Sequence, residues 1–198
     1  MVTRTAKLAA VAVGLCAVVL GLSVQPSWAE DAFAKITVGN VVIPGDQPEI
    51  KGLPGSKGAV QVFSTAFGLA NTLTFGGGGG AGGGKAVPTP VAVVKRFDPA
   101  SPRLLKAAFL GEALTVEITW YMNFQNVPRK TVTIKLEDAF ISNMEASAEL
   151  QGANASGFET VSFIYSRITF STPIIDPATG AVTGTSSVCL DVVNLKTC

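Results

Sequence analysis

Leu114-Thr115-Val116-Glu117-Ile118-Thr119-Trp120-Tyr121 sets apolar positions at every second residue. A chain with that period turns one side to a core and the other to solvent, which is the pattern of a half-buried strand. The alternation returns at Val132, Ile134 and Leu136, between Thr131, Thr133, Lys135 and Glu137. A third run covers 158–170. There Val161, Phe163 and Tyr165 share a face, and the apolar parity then moves to Ile168 and Phe170. Such a slip predicts a bulge near Ser166-Arg167. Ile164 makes this run apolar on both faces, so it is either fully buried or part of a subunit interface. Weaker strand patterns occupy 33–43, 59–69, 86–97 and 187–195.

One short helix interrupts the strands. Ser101 fits its N-cap, Pro102 its first turn and Gly111 the position just past its end. Leu104, Leu105, Ala108 and Phe109 form its expected apolar stripe. A helix of about ten residues is not stable alone, so it must pack on sheet. Turn chemistry is strong at Asp176-Pro177-Ala178-Thr179-Gly180, and also marks Pro44-Gly45, Pro54-Gly55 and Asn126-Val127-Pro128. No internal repeat and no linker divides the chain. The fold class is therefore mainly β, one domain with a short flanking helix.

The N-terminus has the layout of a secretory signal peptide. Arg4 and Lys7 precede an apolar run from Leu8 to Leu22, and Ser27-Trp28-Ala29 gives a small-x-small cleavage site before Glu30. This run is short for a membrane span, which takes about 20 residues. The expected organisation is a signal peptide over 1–29 and a mature domain over 30–198, without stable membrane insertion after cleavage. Of 15 basic and 14 acidic residues, only Arg4 and Lys7 leave with the leader, so the mature net charge is −1. That balance offers no basic stripe for nucleic acid. Cys189 and Cys198 are the two mature cysteines, an even number suited to an oxidising compartment. In one straight strand their nine steps span about 30 Å, whereas bridged Cα atoms lie within about 7 Å. Either the chain folds back near residues 191–194, or the bond joins two subunits.

Catalytic chemistry has little to stand on. The chain has no histidine, which removes His-based triads and the usual general base near neutral pH. Glu137 and Asp138 are adjacent, so on a strand they face opposite ways: Glu137 is expected in solvent and Asp138 at a strand end. The tract from Gly76 to Gly84, followed by Lys85, nearly fits a phosphate-binding loop. Ala86 stands where such a loop needs Ser or Thr, no helix follows, and a flexible connection between two strands is the simpler reading. Asn154-Ala155-Ser156 is a formal glycosylation sequon. No catalytic residue, cofactor or metal site is expected, and the protein is not read as an enzyme.

From Asp31 to Cys198 the chain resembles the haemolysin-coregulated protein (Hcp) family, whose members form the inner tube of the type VI secretion system. The resemblance runs through Asp31-Ala32-Phe33-Ala34-Lys35-Ile36, Val60-Gln61-Val62-Phe63-Ser64-Thr65-Ala66-Phe67-Gly68 and the glycine tract. It continues through Phe97-Asp98-Pro99-Ala100-Ser101-Pro102-Arg103-Leu104-Leu105 with Gly111, and through Lys135-Leu136-Glu137-Asp138-Ala139-Phe140-Ile141-Ser142. Glu159-Thr160-Val161-Ser162-Phe163, Arg167-Ile168-Thr169-Phe170 and Asp191-Val192-Val193-Asn194 complete it. It implies a two-sheet, β-barrel-like or sandwich fold with one flanking helix. It also implies homo-oligomeric rings, commonly hexameric, that stack into a hollow tube with secreted cargo or a spike protein as partners. Ile164, Arg167 and Phe170 are the assembly-contact residues expected on this basis, together with the loop over 45–58. Members of that family normally carry no cleaved leader, and Leu190 stands where the family often has tryptophan. The expected function is an exported, self-assembling structural protein, periplasmic or extracellular; the alternative is a secreted monomeric binding module on the same fold. Mass spectrometry of the native protein is expected to find its N-terminus at Glu30, and retention of 1–29 is the opposite result.

Overall fold

The computed structural model describes residues 31–50, 52–53, 55–75, 81–124, 127–151 and 154–198. The expected leader over 1–29 and the centre of the glycine tract lie outside these residues. In chain order the elements are β1 (Asp31–Val38), β2 (Val41–Ile43), β3 (Val60–Val62), β4 (Ser64–Ala66), β5 (Leu69–Phe75), β6 (Ala81–Pro88), β7 (Val91–Arg96), α1 (Ala100–Leu110), β8 (Leu114–Phe124), β9 (Val127–Gln151), β10 (Asn154–Ile175), β11 (Val182–Asp191) and β12 (Lys196–Thr197). Ten strands share one sheet, and β5–β6 form a second, separate hairpin. The latter absorbs part of the glycine tract: Ala81, Gly82 and Gly83 pair with Phe75, Thr74 and Leu73, so this stretch is strand rather than free loop.

The alternation in β8 buries Leu114, Val116 and Ile118, as the period of two requires. They meet Ile36 of β1, Val60 of β3, Val93 of β7, Leu104 of α1, Leu136 of β9 and Phe163 of β10 in one core. The strand pairings bend the sheet into a barrel-like wall. β1 pairs β8 on one side and β3 on the other. β4 pairs β7, and Phe63, between β3 and β4, donates its N–H to Val94 O. β7 pairs β10, β10 pairs β9, and β9 returns to β8.

β10 forks this wall. Its residues Phe158–Phe163 pair with β7, and Arg167–Ile175 pair with β11. Between the two partners its buried parity slips from Phe163 to Ile168. The facing strand slips too: Leu136 and Ala139 of β9 are both fully buried. The β9–β10 ladder keeps its register here, with Asp138 opposite Ser166, and shifts instead at Ser162/Phe163, where Ser142 is the extra residue. The β8–β9 ladder shifts between Leu114 and Val116, beside Asp138, which adopts φ 47°. The parity change expected near Ser166-Arg167 is therefore present on both strands, but the ladder irregularity lies three to four residues earlier than the expected bulge. Asp138 is a residue type that tolerates the left-handed region. Asp138 does not end a strand, because β9 continues to Gln151.

Two helix assignments change. The N-cap is Pro99, placing Ser101 and Pro102 inside the first turn. Asp98, one residue earlier, supplies the missing acceptor through Ala100 N–H to its Oδ1, 2.9 Å. Gly111 ends the helix at φ 62°, and Glu112 N–H reaches back to Ala107 O. The buried face is Ala100, Leu104 and Ala107, whereas Leu105, Phe109 and Leu110 are exposed. Helical spacing allows either face inward; the anchoring of the N-terminus selects the narrower one.

The described residues of the loop over 45–58 form a packed lobe. Gly45 N–H bonds Gly58 O and Gly58 N–H bonds Gln47 O, while Leu53 and Ala59 bury against Phe33. A Cβ on Gly45 meets the Ala59 carbonyl oxygen at 2.2 Å, whereas one on Gly111 meets nothing and strains only its φ. Gly45→Ala is therefore expected to cost at least ~2 kcal/mol and Gly111→Ala about 1 kcal/mol, read from urea midpoints at unchanged slope. Equal, small losses at both sites mean that the lobe base can separate from β3.

Candidate functional site

The surfaces available for function are held by a buried charge cluster. Lys95 is 1% exposed and reaches Glu159 Oε1 at 2.5 Å, Asp98 Oδ1 at 2.7 Å, Arg96 O at 2.8 Å and Ser101 Oγ at 3.0 Å. Ser101 donates to Glu159 Oε1 at 2.8 Å, and Asp98 N–H donates to Ser101 Oγ. One ammonium thereby joins β7, β10 and the start of α1. An isolated charge here would carry a large desolvation cost, so each member depends on the others. Sequence reasoning missed this cluster, although a signal existed. Lys95 keeps the inward parity of Val91 and Val93, and Glu159 that of Val161 and Phe163.

An apolar groove of about 760 Å³ opens in the fork of β10. Phe67 and Leu69 form one bank, Tyr165, Ile168 and Phe170 the floor, and Val188 and Leu190 the other bank. Phe67 and Phe170 pack with ring centroids 5.8 Å apart. Beyond β11 the chain turns back through 192–195 into β12, which pairs only with Leu190 and Asp191. This C-terminal hook adds Val192, Leu195, Lys196 and Thr197 to the groove wall. Cys189 and Cys198 sit across the turn with Cα atoms 5.3 Å apart and their sulfurs bonded. The reversal near 191–194 is what brings them together.

Three further surfaces are exposed. Among the described residues, β2 pairs only β1, and β11 has no outer partner over 182–188, so both ends of the main sheet are open. Val41 on β2 is 70% exposed, and Val182 and Val188 on β11 are also exposed. On α1, Phe109 is 89% exposed beside Leu105 and Leu110. Of the residues singled out in β10, Ile164 faces outward, and Arg167 is exposed and pairs with Glu137 at 3.3 Å. Phe170 lines the groove instead. The structure therefore places these three on two different surfaces. Among the described residues no His/Cys/Asp/Glu group of three or more could hold a metal ion.

The family model for "Type VI secretion system effector, Hcp" matches residues 33–171, most of the chain. This protein belongs to the Hcp family. The chain is also 39% identical over 87 residues to the "Major exported protein" of Pseudomonas aeruginosa, covering 41% of this chain and 51% of that protein. The match thus spans about half the length of that curated relative. A solved type six secretion system protein superposes with a TM-score of 0.69 at 22% identity, covering 86% of this chain and 100% of the other. Hcp1 from Salmonella typhimurium gives 0.64 at 24% identity, covering 86% and 99%. At these identities the structural likeness establishes the fold, and it is the Hcp fold expected from the strand motifs. In this Hcp-family chain the Phe97–Ser101 motif has a visible structural role, because Asp98 and Ser101 seat the helix on Lys95.

Lys95→Met is expected to cost about 3–5 kcal/mol, because it strands Asp98 and Glu159 as buried, unpaired acids. A loss below ~1 kcal/mol in chemical denaturation would contradict the anchoring role. A second expectation concerns acid. Hydrogen bonding from Lys135, aided by Arg167, holds the Glu137 carboxyl below its ordinary value of 4.5, against a smaller opposing effect of burial. Its folded pKa is depressed, so its contribution is full above pH 4.5 and fades as pH falls through the lower folded value. Glu137→Gln should flatten this part of the acid limb in urea titrations. The effect is small because the site is largely solvated.

Proposed function

We propose that this protein is an exported ring-forming subunit, built on the Hcp fold, whose rings stack into a hollow tube. The observation that carries the reading is the pair of open edges at opposite ends of one sheet, β2 and β11. An edge strand presents unpaired N–H and C=O groups, and proteins that remain monomeric usually blunt such edges with charge, proline or a cover. Here Val41, Val182, Ser186 and Val188 are exposed instead. Two different edges on one chain make a heterologous contact, which closes into a ring or continues as a filament. The exposed Leu105, Phe109 and Leu110 on α1 supply a further apolar surface for contacts between subunits.

Family membership supports a ring of about six subunits, with passage of a protein cargo through the tube or docking of a spike on its end. The signal-peptide layout over 1–29 and the relative's name, "Major exported protein", support delivery to the periplasm or the outside of the cell. Cys189 and Cys198 act there as an intrachain disulfide, worth about 2.5–3 kcal/mol on the chain-entropy model for a loop this short. Function then lies in repeated interfaces rather than in chemistry.

Negative-stain microscopy and sedimentation of residues 30–198 are expected to show rings or stacked tubes. The double variant Val41→Lys, Ser186→Lys charges both open edges on exposed positions and is expected to yield folded monomer. Rings that persist in this variant remove the sheet edges from the interface. Wild-type protein that stays monomeric at high concentration overturns the assembly reading itself.

A further inference from the structure

The C-terminal hook, residues 192–198, is too slight to hold itself in place. Its ladder is β12, two residues long, pairing Lys196 with Asp191 and Thr197 with Leu190. Such a pair at a chain end normally frays. The hook also contains a strained residue: Leu195 sits at φ 52°, a region that L side chains rarely adopt. Its remaining local fixings are few. Val192 N–H bonds Ser166 O at 2.8 Å, Cys198 N–H bonds Cys189 O at 3.1 Å, and Asp191 accepts from Asn194 N–H and Nδ2 at 2.9 and 2.8 Å. Val193 is largely exposed and Leu195 about half so, which leaves Val192, at the root of the hook, as its one apolar contact with the core among the described residues. The covalent bond between Cys189 and Cys198 closes the short segment from both ends. Yet this weakly tied hook supplies four residues of the apolar groove.

We propose that the Cys189–Cys198 bond is a redox latch: oxidised, it fixes the hook as a wall of the groove in the β10 fork; reduced, it lets the hook leave and the groove open. This rests on the intrachain disulfide put forward under Proposed function. The opening step is exchange with a dithiol. A reductant thiolate attacks one cysteine sulfur, the second reductant thiol closes its own disulfide, and two electrons and two protons leave Cys189 and Cys198 as thiols. Closing is the reverse exchange with a disulfide-bearing oxidant, the kind of partner an oxidising compartment offers. The consequence is directional. A chain held in a reducing compartment carries an unfinished groove and a loose C-terminus. The same chain acquires the complete groove only after reaching an oxidising one. Because β12 also covers the end of the β11 edge, the latch sets how far that edge stays open.

The test is amide hydrogen exchange on the purified protein before and after dithiothreitol, with the Cys189→Ser, Cys198→Ser variant as a latch-free form that needs no reductant. The amides of Val192, Asn194 and Cys198 are expected to exchange at least about tenfold faster in both latch-free states, whereas those of Ile168 and Phe170 in the β10–β11 ladder change by less than about twofold. Trypsin should then cut after Lys196 in the latch-free forms and spare the oxidised one. Unchanged hook protection after reduction overturns the latch. Equal loss across the hook and the β10–β11 ladder also overturns it, since the bond is then a staple of the whole sheet. Thiol titration of the unreduced protein separates the two readings. Two free thiols there refute the disulfide itself, while a bonded pair with an immobile hook refutes only the latch.

Discussion

A single buried ammonium constrains the rest of the molecule. Lys95 lies where β7, β10 and α1 converge, and its three charged or hydroxylic side-chain partners come from β10, from α1 and from the turn between β7 and α1. Moving β10 away from β7 leaves Glu159 in the core without its counter-charge, and moving α1 takes the Ser101 hydroxyl from both Lys95 and Glu159. The helix is therefore not free to roll and bury its bulkier face. Its seat is set at the N-terminus by Asp98 and Ser101, and Leu105 and Phe109 are left outside as a result. A surface suited to another molecule thus follows from an interior electrostatic arrangement rather than from the helix's own pattern.

The fork of β10 is the second organising feature. On one side this 22-residue strand keeps β9 from Asn154 to Ser171, while on the other it serves β7 first and β11 afterwards. Through the change its pairing with β9 keeps register opposite Asp138, while the buried parity of β10 slips from Phe163 to Ile168. The slip turns Ile168 and Phe170 toward the space that β11 leaves as it diverges, and the groove is that space. Its apolar character comes from side chains that carry the core parity of β10 beyond the point where the core ends.

Much of this architecture is legible in the alternation of the sequence. The strands at 114–121 and 131–137 are placed by period alone, because one wet face and one dry face leave no other arrangement. The parity change near Ser166 is visible in the sequence, but the register shift at Ser162/Phe163 is not, since the extra residue on the facing strand, Ser142, has no hydropathy signature. The helix ends are half legible. Glycine at 111 identifies a left-handed cap directly, while a serine at 101 fits an N-cap equally well as a side-chain acceptor for a distant lysine. Lys95 and Glu159 break the apolar parity of their strands, and a polar residue on an apolar parity can be a partnered core charge or a surface turned by a bulge. Only the pairing of β7 with β10 resolves that choice. The groove and the hook depend on tertiary approach between distant segments, which no local pattern encodes.

The position of β1 bears on how the chain is made. β1 is the first described strand, and its long ladder is with β8, which follows β2 through β7 and the helix in the sequence. A chain emerging from its N-terminus therefore carries one side of β1 unpaired while more than half of the wall is still being synthesised. The short pairings with β2 and β3 cover only the opposite side. Long-range closure of this kind is slow compared with hairpin formation, and an incomplete chain with a free strand is open to pairing with its neighbours. Production of this fold thus favours conditions that keep nascent chains apart, or a chaperone that occupies β1 until β8 arrives.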